Sequence, residues 1–181
     1  MRERIICAGS GGQGVMAMGK VLAIAALREG RHVTWLPSYG AEVRGGTAHC
    51  MVVLSDEPVD SPCIEKADTL IIMNAPSLKK FKNAIRSKGL LLVNATLADC
   101  KATSRRLRVV RAPLTEMAIK MGFDKVANTI AVGAYLGLKK IISLSSMERS
   151  IEEVLQDKPK LIAINKRALE EGFFFGQNFC K

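Results

Sequence analysis

The residues of this 181-residue sequence that could do chemistry begin with a run of glycines, Gly9-Ser10-Gly11-Gly12-Gln13-Gly14, which satisfies G-x-G-x-x-G. Glycines at this spacing let the backbone turn tightly and approach a ligand closely. The exposed N–H groups and the positive end of a following helix then attract a phosphate. A second stretch, Pro37-Ser38-Tyr39-Gly40-Ala41-Glu42-Val43-Arg44-Gly45-Gly46-Thr47, carries three glycines and two opposite charges. The planar fork of Arg44 suits a carboxylate or phosphate, with Glu42 anchoring a partner; alternatively the two pair with each other and stiffen the loop. Asn74 and Asn94 offer side-chain amides at the ends of two apolar runs, where asparagine is also ordinary turn chemistry.

The remaining candidates have plainer readings. His32 and His49 are the two histidines, and each falls in an expected strand, which favours a structural role. Lys125 and Asn128 open a later helix and either reach the glycine turn or cap that helix. The five cysteines are scattered without a C-x-x-C, so reduced thiols are expected and neither a disulfide framework nor a local zinc or iron–sulfur site.

Elements of alternating type must position these residues. Residues 4–8 are a short apolar run ending in glycine, and residues 15–29 are rich in Ala, Leu and Met. That order reads as strand, turn, helix, and a strand at 32–36 completes a β-α-β unit. The helix is apolar almost all round, so burial on more than one side is expected, against the sheet and against a neighbouring subunit. Further strands are expected at 48–54, 69–73, 90–93 and 107–110, with a crossover helix at 77–87. From residue 114 onward the period is helical, and Ser145 with Glu148 makes a capping-box pair. The expected fold class is α/β, a three-layer α/β/α sandwich with a mostly parallel, Rossmann-like sheet and a helical C-terminal part, in one domain over residues 1–181.

Both glycine-bearing loops follow the carboxyl ends of strands, the edge where open α/β sheets place their ligands. A dinucleotide site also needs an acid at the end of the second strand to hold the ribose, and the stretch His32-Val33-Thr34-Trp35-Leu36-Pro37-Ser38 has none. Three readings of the glycine turn therefore stay open: an NAD- or FAD-binding loop, glycines kept only for strand–helix packing, and contact with another phosphate ligand or a partner subunit.

Composition sets the outer bounds. With 48% hydrophobic and 24% charged residues the chain is an ordinary globular sequence. The N-terminal apolar run is too short for a signal peptide or a membrane span, so a cytoplasmic location is expected. The net charge of +10 fits nucleic acid, an acidic partner or an anionic cofactor. Few aromatic residues interleave with the basic ones, which argues against nucleic acid.

Taken together, Gly9-x-Gly11-Gly12-Gln13-Gly14-Val15 and Pro37-Ser38-Tyr39-Gly40-Ala41-Glu42-x-Arg44-Gly45-Gly46-Thr47-Ala48 resemble the γ subunits of 2-oxoacid:ferredoxin or other acceptor oxidoreductases. The similarity continues through Ser55-Asp56-Glu57-Pro58, Ser61-Pro62, Met73-Asn74-Ala75-Pro76-Ser77, Asn94 and Lys125-Val126-Ala127-Asn128, and is greatest to the 2-oxoglutarate and ketoisovalerate-like branches. The resemblance implies a chain that supports oxidative decarboxylation of a 2-oxoacid, 2-oxoglutarate in the first instance, with coenzyme A accepting the acyl group and electrons passing to ferredoxin or a similar acceptor. It implies α, β and δ-type partner subunits holding thiamine diphosphate, magnesium and iron–sulfur clusters. No catalytic residue is assigned to this chain. Gly9, Gly11, Gly12, Gln13 and Gly14 would lie near a pyrophosphate of coenzyme A, beside a contact loop of Tyr39, Gly40, Glu42, Arg44, Gly45, Gly46 and Thr47, with Asn74 and Asn94 on the same edge. The competing expectations are a free-standing nucleotide-binding oxidoreductase and a purely structural subunit.

Overall fold

The computed structural model describes residues 1–38, 47–100 and 106–179. Six strands form one sheet: β1 (Arg2–Ser10), β2 (His32–Ser38), β3 (Thr47–Ser55), β4 (Ala67–Ile72), β5 (Ile85–Asn94) and β6 (Arg108–Ala112). Their order is β2-β3-β1-β4-β5-β6. The pairings of β1, β4, β5 and β6 are parallel, and β3 runs antiparallel to both β1 and β2. The expected β-α-β unit exists in an altered form: β3 is inserted between β1 and β2, so the helix joining them spans an intervening strand.

Helices α1 (Val15–Arg28), α2 (Ala75–Phe81), α3 (Leu114–Lys120), α4 (Ala127–Lys139), α5 (Leu144–Val154) and α6 (Ile162–Asn178) divide unequally between the two faces. Strand residues alternate between faces. Ile5, Cys7, Val52, Ile71, Leu92 and Val110 face the layer built by α1, α3, α4, α5 and α6. Ile6, Val53, Leu70, Ile72, Leu91 and Val93 face a thinner cover made by Phe81 of α2 with Ile64, Ala98 and Cys100 of the loops. Both faces of β4 are covered and all six of its residues are buried, which is why Leu70-Ile71-Ile72 within it is a continuous apolar run. Helix α1 is walled by sheet on one side and by α4 and α5 on others, so its nearly all-round apolar character is largely absorbed within the chain. Among the described residues no helix is long and apolar enough to cross a membrane.

Several boundaries differ from the sequence expectation, each for a tertiary reason. Helix α2 stops at Phe81, and β5 starts at Ile85 instead of residue 90. The polar stretch in between is drawn into the sheet because Arg86 pairs with the fully buried Asp68 and the Lys88 amide donates to the Arg106 carbonyl at 2.6 Å. Helix α5 is capped by Ser143, not Ser145: the Ser143 hydroxyl accepts from the Ser146 amide at 3.2 Å. The Ser143 amide itself donates to the Glu29 carboxylate at 2.7 Å, a contact with the end of α1 that local sequence cannot reveal. Pro37 and Ser38 belong to β2, and Thr47 to β3, so three residues expected in a loop are strand residues.

Cys7 and Cys50 face each other across β1 and β3, both buried. The hydrogen bond to Cys50 and burial push the Cys7 thiol well above its usual pKa; the same bond draws that of Cys50 down against its desolvation. Cys100 is also buried, while Cys63 is exposed. Brief alkylation of the native chain should therefore modify Cys63 and spare Cys7, Cys50 and Cys100 until denaturant is added. Peptide mass spectrometry reads the pattern, and early labelling of Cys7 or Cys50 would contradict the packing.

Candidate functional site

The glycine turn sits at the carboxyl end of β1 and leads directly into α1. Gly9 and Ser10 are still strand residues, and the Gln13 amide closes the turn on the Ser10 carbonyl at 3.2 Å. The Gln13 side chain braces it from within, its Oε1 accepting the Ser10 amide at 2.8 Å. Gly14 is the N-cap of α1, with φ 69° and no side-chain cap, so the amides of the first helical turn receive no capping oxygen from this residue.

The four glycines do different work. A Cβ on Gly9 would fall 2.8 Å from both Gln13 Oε1 and Val15 Cγ2 and 3.0 Å from Met73 Cβ, so its smallness permits strand–helix packing. Gly14 lies under Asn128, whose Nδ2 donates to the Gly14 carbonyl at 3.3 Å. A Cβ added to Gly11 or Gly12 would meet nothing within 4 Å, and both residues are exposed to solvent. Packing thus accounts for Gly9 and Gly14, and a left-handed backbone at φ 86° accounts for Gly12; Gly11 has neither reason. Gly11 and Gly12 leave bare backbone at the positive end of a 14-residue helix, where a negative group gains about 0.3–1 kcal/mol from the dipole alone.

Two expected site residues, Thr47 and Asn74, converge on the same edge. Thr47 opposes Ser10 in the antiparallel register, because the start of β3 lies beside the end of β1. Its hydroxyl accepts from Lys80 Nζ at 2.9 Å, which brings to the edge an α2 cation that the sequence pattern does not single out. Asn74 donates from Nδ2 to the Ser10 hydroxyl while its Oδ1 caps α2 through the Ser77 amide at 3.0 Å. Asn94 is placed differently. It is fully buried, donating to the Met73 carbonyl at 3.3 Å and to Thr115 Oγ1 at 2.8 Å and accepting the Thr115 amide at 3.3 Å. Its amide is spent holding the ends of β4 and β5 and the start of α3, which is the turn-chemistry alternative. Tyr39, Gly40, Glu42, Arg44, Gly45 and Gly46 lie outside the described residues.

Of Lys125 and Asn128, Asn128 of α4 reaches the edge through Gly14, while Lys125 lies in the 3-10 turn ahead of that helix. His32 is exposed on the edge strand β2, and His49 stacks on Phe81 with ring centroids 4.8 Å apart. Among the described residues no group of three or more His, Cys, Asp or Glu side chains is arranged to hold a metal ion.

A bare-backbone turn at a helix N-terminus, flanked by a Thr and a Lys, suits an anionic group but does not name one. Comparison with known proteins decides the family: residues 4–175 match the model described as pyruvate ferredoxin/flavodoxin oxidoreductase. The chain belongs to this family. Within it, the chain is 40% identical over 170 residues to the ketoisovalerate oxidoreductase subunit VorA of Methanothermobacter marburgensis, covering 93% of this chain and 35% of the relative. It is 34% identical over 172 residues to the 2-oxoglutarate synthase subunit KorC of Methanocaldococcus jannaschii, covering 92% of each. The chain therefore spans about a third (35%) of the length of the ketoisovalerate relatives it matches. Among solved structures, a keto/oxoacid ferredoxin oxidoreductase γ subunit from Geobacter sulfurreducens superposes with TM-score 0.81 at 26% identity, over 97% of this chain and 99% of that one. The 2-oxoglutarate:ferredoxin oxidoreductase of Magnetococcus marinus, described with 2-oxoglutarate, coenzyme A and succinyl-CoA bound, shares the fold at TM-score 0.88 and 22% identity. The match covers 98% of this chain and 31% of that one. The pyruvate ferredoxin/flavodoxin oxidoreductase family thus supplies both chains of this size and longer chains in which the same fold is one part.

Proposed function

We propose that this chain is the γ-type subunit of a 2-oxoacid:ferredoxin or other acceptor oxidoreductase, and that its glycine-turn edge contacts coenzyme A. The supporting observation is that Gly11 and Gly12 present unobstructed backbone at the N-terminus of α1 for no packing reason, with Thr47 and Lys80 close by on the same sheet edge. Coenzyme A carries a pyrophosphate and a ribose phosphate, and backbone N–H groups with a lysine ammonium are a fitting donor set for them. The chain's net charge of +10 favours approach of such an anion. On this reading Gly9, Gln13, Gly14 and Asn74 shape the turn, Gly11 and Gly12 face the phosphates, and Tyr39, Gly40, Glu42, Arg44, Gly45 and Gly46 supply the adjoining contact loop. Asn94 positions the strand ends behind it. Thiamine diphosphate, magnesium and iron–sulfur clusters belong to α, β and δ-type partner chains in the cytoplasm, and the 2-oxoacid is chosen there.

The substrate proposed from the sequence motifs is 2-oxoglutarate. Higher identity to ketoisovalerate subunits, 39–40% against 30–34% for 2-oxoglutarate subunits, favours a branched 2-oxoacid as the second reading. Turnover of each acid by the purified complex, with coenzyme A and an electron acceptor, separates the two.

Gly11→Val tests the edge itself. Nothing surrounds that position, so stability should stay within about 0.5 kcal/mol of the parent. In the assembled complex the KM for coenzyme A should rise about tenfold, the loss of roughly 1.4 kcal/mol of binding, with kcat little changed. An unchanged KM in a fully assembled complex would remove coenzyme A from this edge.

A further inference from the structure

A cavity lies away from the sheet edge, within the thick helical layer. It runs between α1, α4 and α5, has a volume of about 150 Å³, and is closed below by Leu161 and by Asn165 near the start of α6. Its walls are Ala17, Met18 and Val21 of α1, Val132 of α4, Ile151 of α5 and Leu155 just past the end of α5. Two polar side chains in the lining, Thr129 and Asn165, are already satisfied. Thr129 Oγ1 donates to Asn165 Oδ1 at 2.6 Å, and Asn165 Nδ2 donates to the Leu161 carbonyl at 2.8 Å. Asn128 also turns its amide away, toward Gly14. The interior thus offers apolar contact and little that would hold water.

The rim is different. Lys125 lines the opening from the short 3-10 turn before α4, exposed to solvent and without an ion pair among the described residues. An apolar slot with one ammonium at its mouth is complementary to a molecule with an aliphatic body and a single negative head. A cavity of 150 Å³ is the size that takes up a benzene molecule, so the body should hold about six carbons. We propose that this cleft binds a short aliphatic carboxylate, with the chain between α1, α4 and α5 and the carboxylate on Lys125. The site is separate from the proposed coenzyme A edge, which lies on the far side of Asn128. Through Asn128 and its bond to Gly14, occupancy of the cleft bears on the same helix that carries the glycine turn.

The test is calorimetric titration of the full chain with sodium hexanoate, with hexanamide as the neutral counterpart. Hexanoate should bind saturably at one site and at least about tenfold more tightly than hexanamide, a difference of roughly 1.4 kcal/mol. Affinity should climb from butanoate to hexanoate and gain nothing at octanoate, because the cavity is full. Lys125→Met should bring acid and amide to the same affinity while leaving the thermal midpoint unchanged. Ala17→Phe, and independently Leu155→Trp, should abolish binding of both by filling the slot. Titration with 4-methyl-2-oxopentanoate distinguishes the source: tighter binding than hexanoate assigns the site to a 2-oxoacid, weaker binding to a simple fatty acid. Absence of saturable binding would overturn the assignment. So would equal affinity for hexanoate and hexanamide in the parent chain, or hexanoate binding that survives both blocking substitutions in folded protein. None of these readouts depends on coenzyme A or on partner chains, so the proposal stands or falls apart from that for the glycine edge.

Discussion

Gly133→Ala will lower the stability of the chain by about 3 kcal/mol, a fall of about 6–12 °C in the thermal midpoint for a protein of this size. The cause is the seam between α4 and α6, where Gly133 and Gly137 of one helix meet Gly172 and Gly176 of the other. A Cβ on Gly133 would land on the Leu169 carbonyl oxygen and 2.9 Å from the Phe173 amide nitrogen. Those two groups are four residues apart in one helix, so the added carbon presses on a peptide hydrogen bond that cannot move aside as a side chain would. Gly172 faces Ile130 and Ala134 of α4 in the same way, and Gly172→Ala should cost a similar amount. Gly11→Ala, with open space around it, is the control and should melt with the parent. Thermal denaturation followed by circular dichroism makes the comparison. A Gly133→Ala midpoint within about 2 °C of the parent would mean that the two helices do not approach so closely.

Gly14→Ala should have the next largest effect, for two separable reasons. The left-handed backbone at φ 69° disfavours any Cβ by about 1–2 kcal/mol. The new carbon also strikes the Asn128 side chain, which must swing away and give up its bond to the Gly14 carbonyl, worth about 0.5–1.5 kcal/mol. The expected total is about 2–3 kcal/mol, measured by denaturant unfolding. Asn128→Gly in the same chain removes the collision but not the backbone strain, so the double variant should be less destabilised than the sum of the two single ones. Strict additivity would show that the two residues do not touch. Because the turn and α4 are joined at this point, Gly14→Ala should also weaken coenzyme A use in the complex, in contrast to Gly133→Ala, whose seam lies elsewhere.

Much of the architecture was legible from the residues. Leu70-Ile71-Ile72 reads as a strand covered on both faces because a strand buried in a parallel region has no polar side to show. The glycine turn was legible as a strand-to-helix junction because its position, after an apolar run and before an Ala- and Leu-rich one, is a local property. Asn74 was legible as a residue at the end of a strand; that it caps α2 and bonds Ser10 was not. What escaped was everything set by distant partners. Ser145 has better capping-box spacing than Ser143, yet Ser143 is the cap because Glu29 holds its amide. Arg86 and Lys88 look like helix or turn residues until Asp68 and Arg106 draw them into β5.

For the candidate site, sequence alone determined that glycines 9, 11, 12 and 14 occupy one turn, that this turn opens a helix, and that no ribose-binding acid follows the second strand. Those are statements about neighbours along the chain, and local spacing suffices for them. Only the tertiary structure decided which glycines are there for packing and which leave backbone open. Gly9 is answered by Gln13 and Val15 nearby and by Met73, 64 residues away, Gly14 by Asn128, 114 residues away, and Gly12 by its left-handed backbone, while Gly11 is answered by nothing. It also decided that Asn94 is turned inward, that Lys80 stands at the edge beside Thr47, and that three helices leave a cavity between them. The physical reason is common to all of these: contact distance is a property of the folded chain, and residue type becomes function only once the fold has chosen what each residue faces.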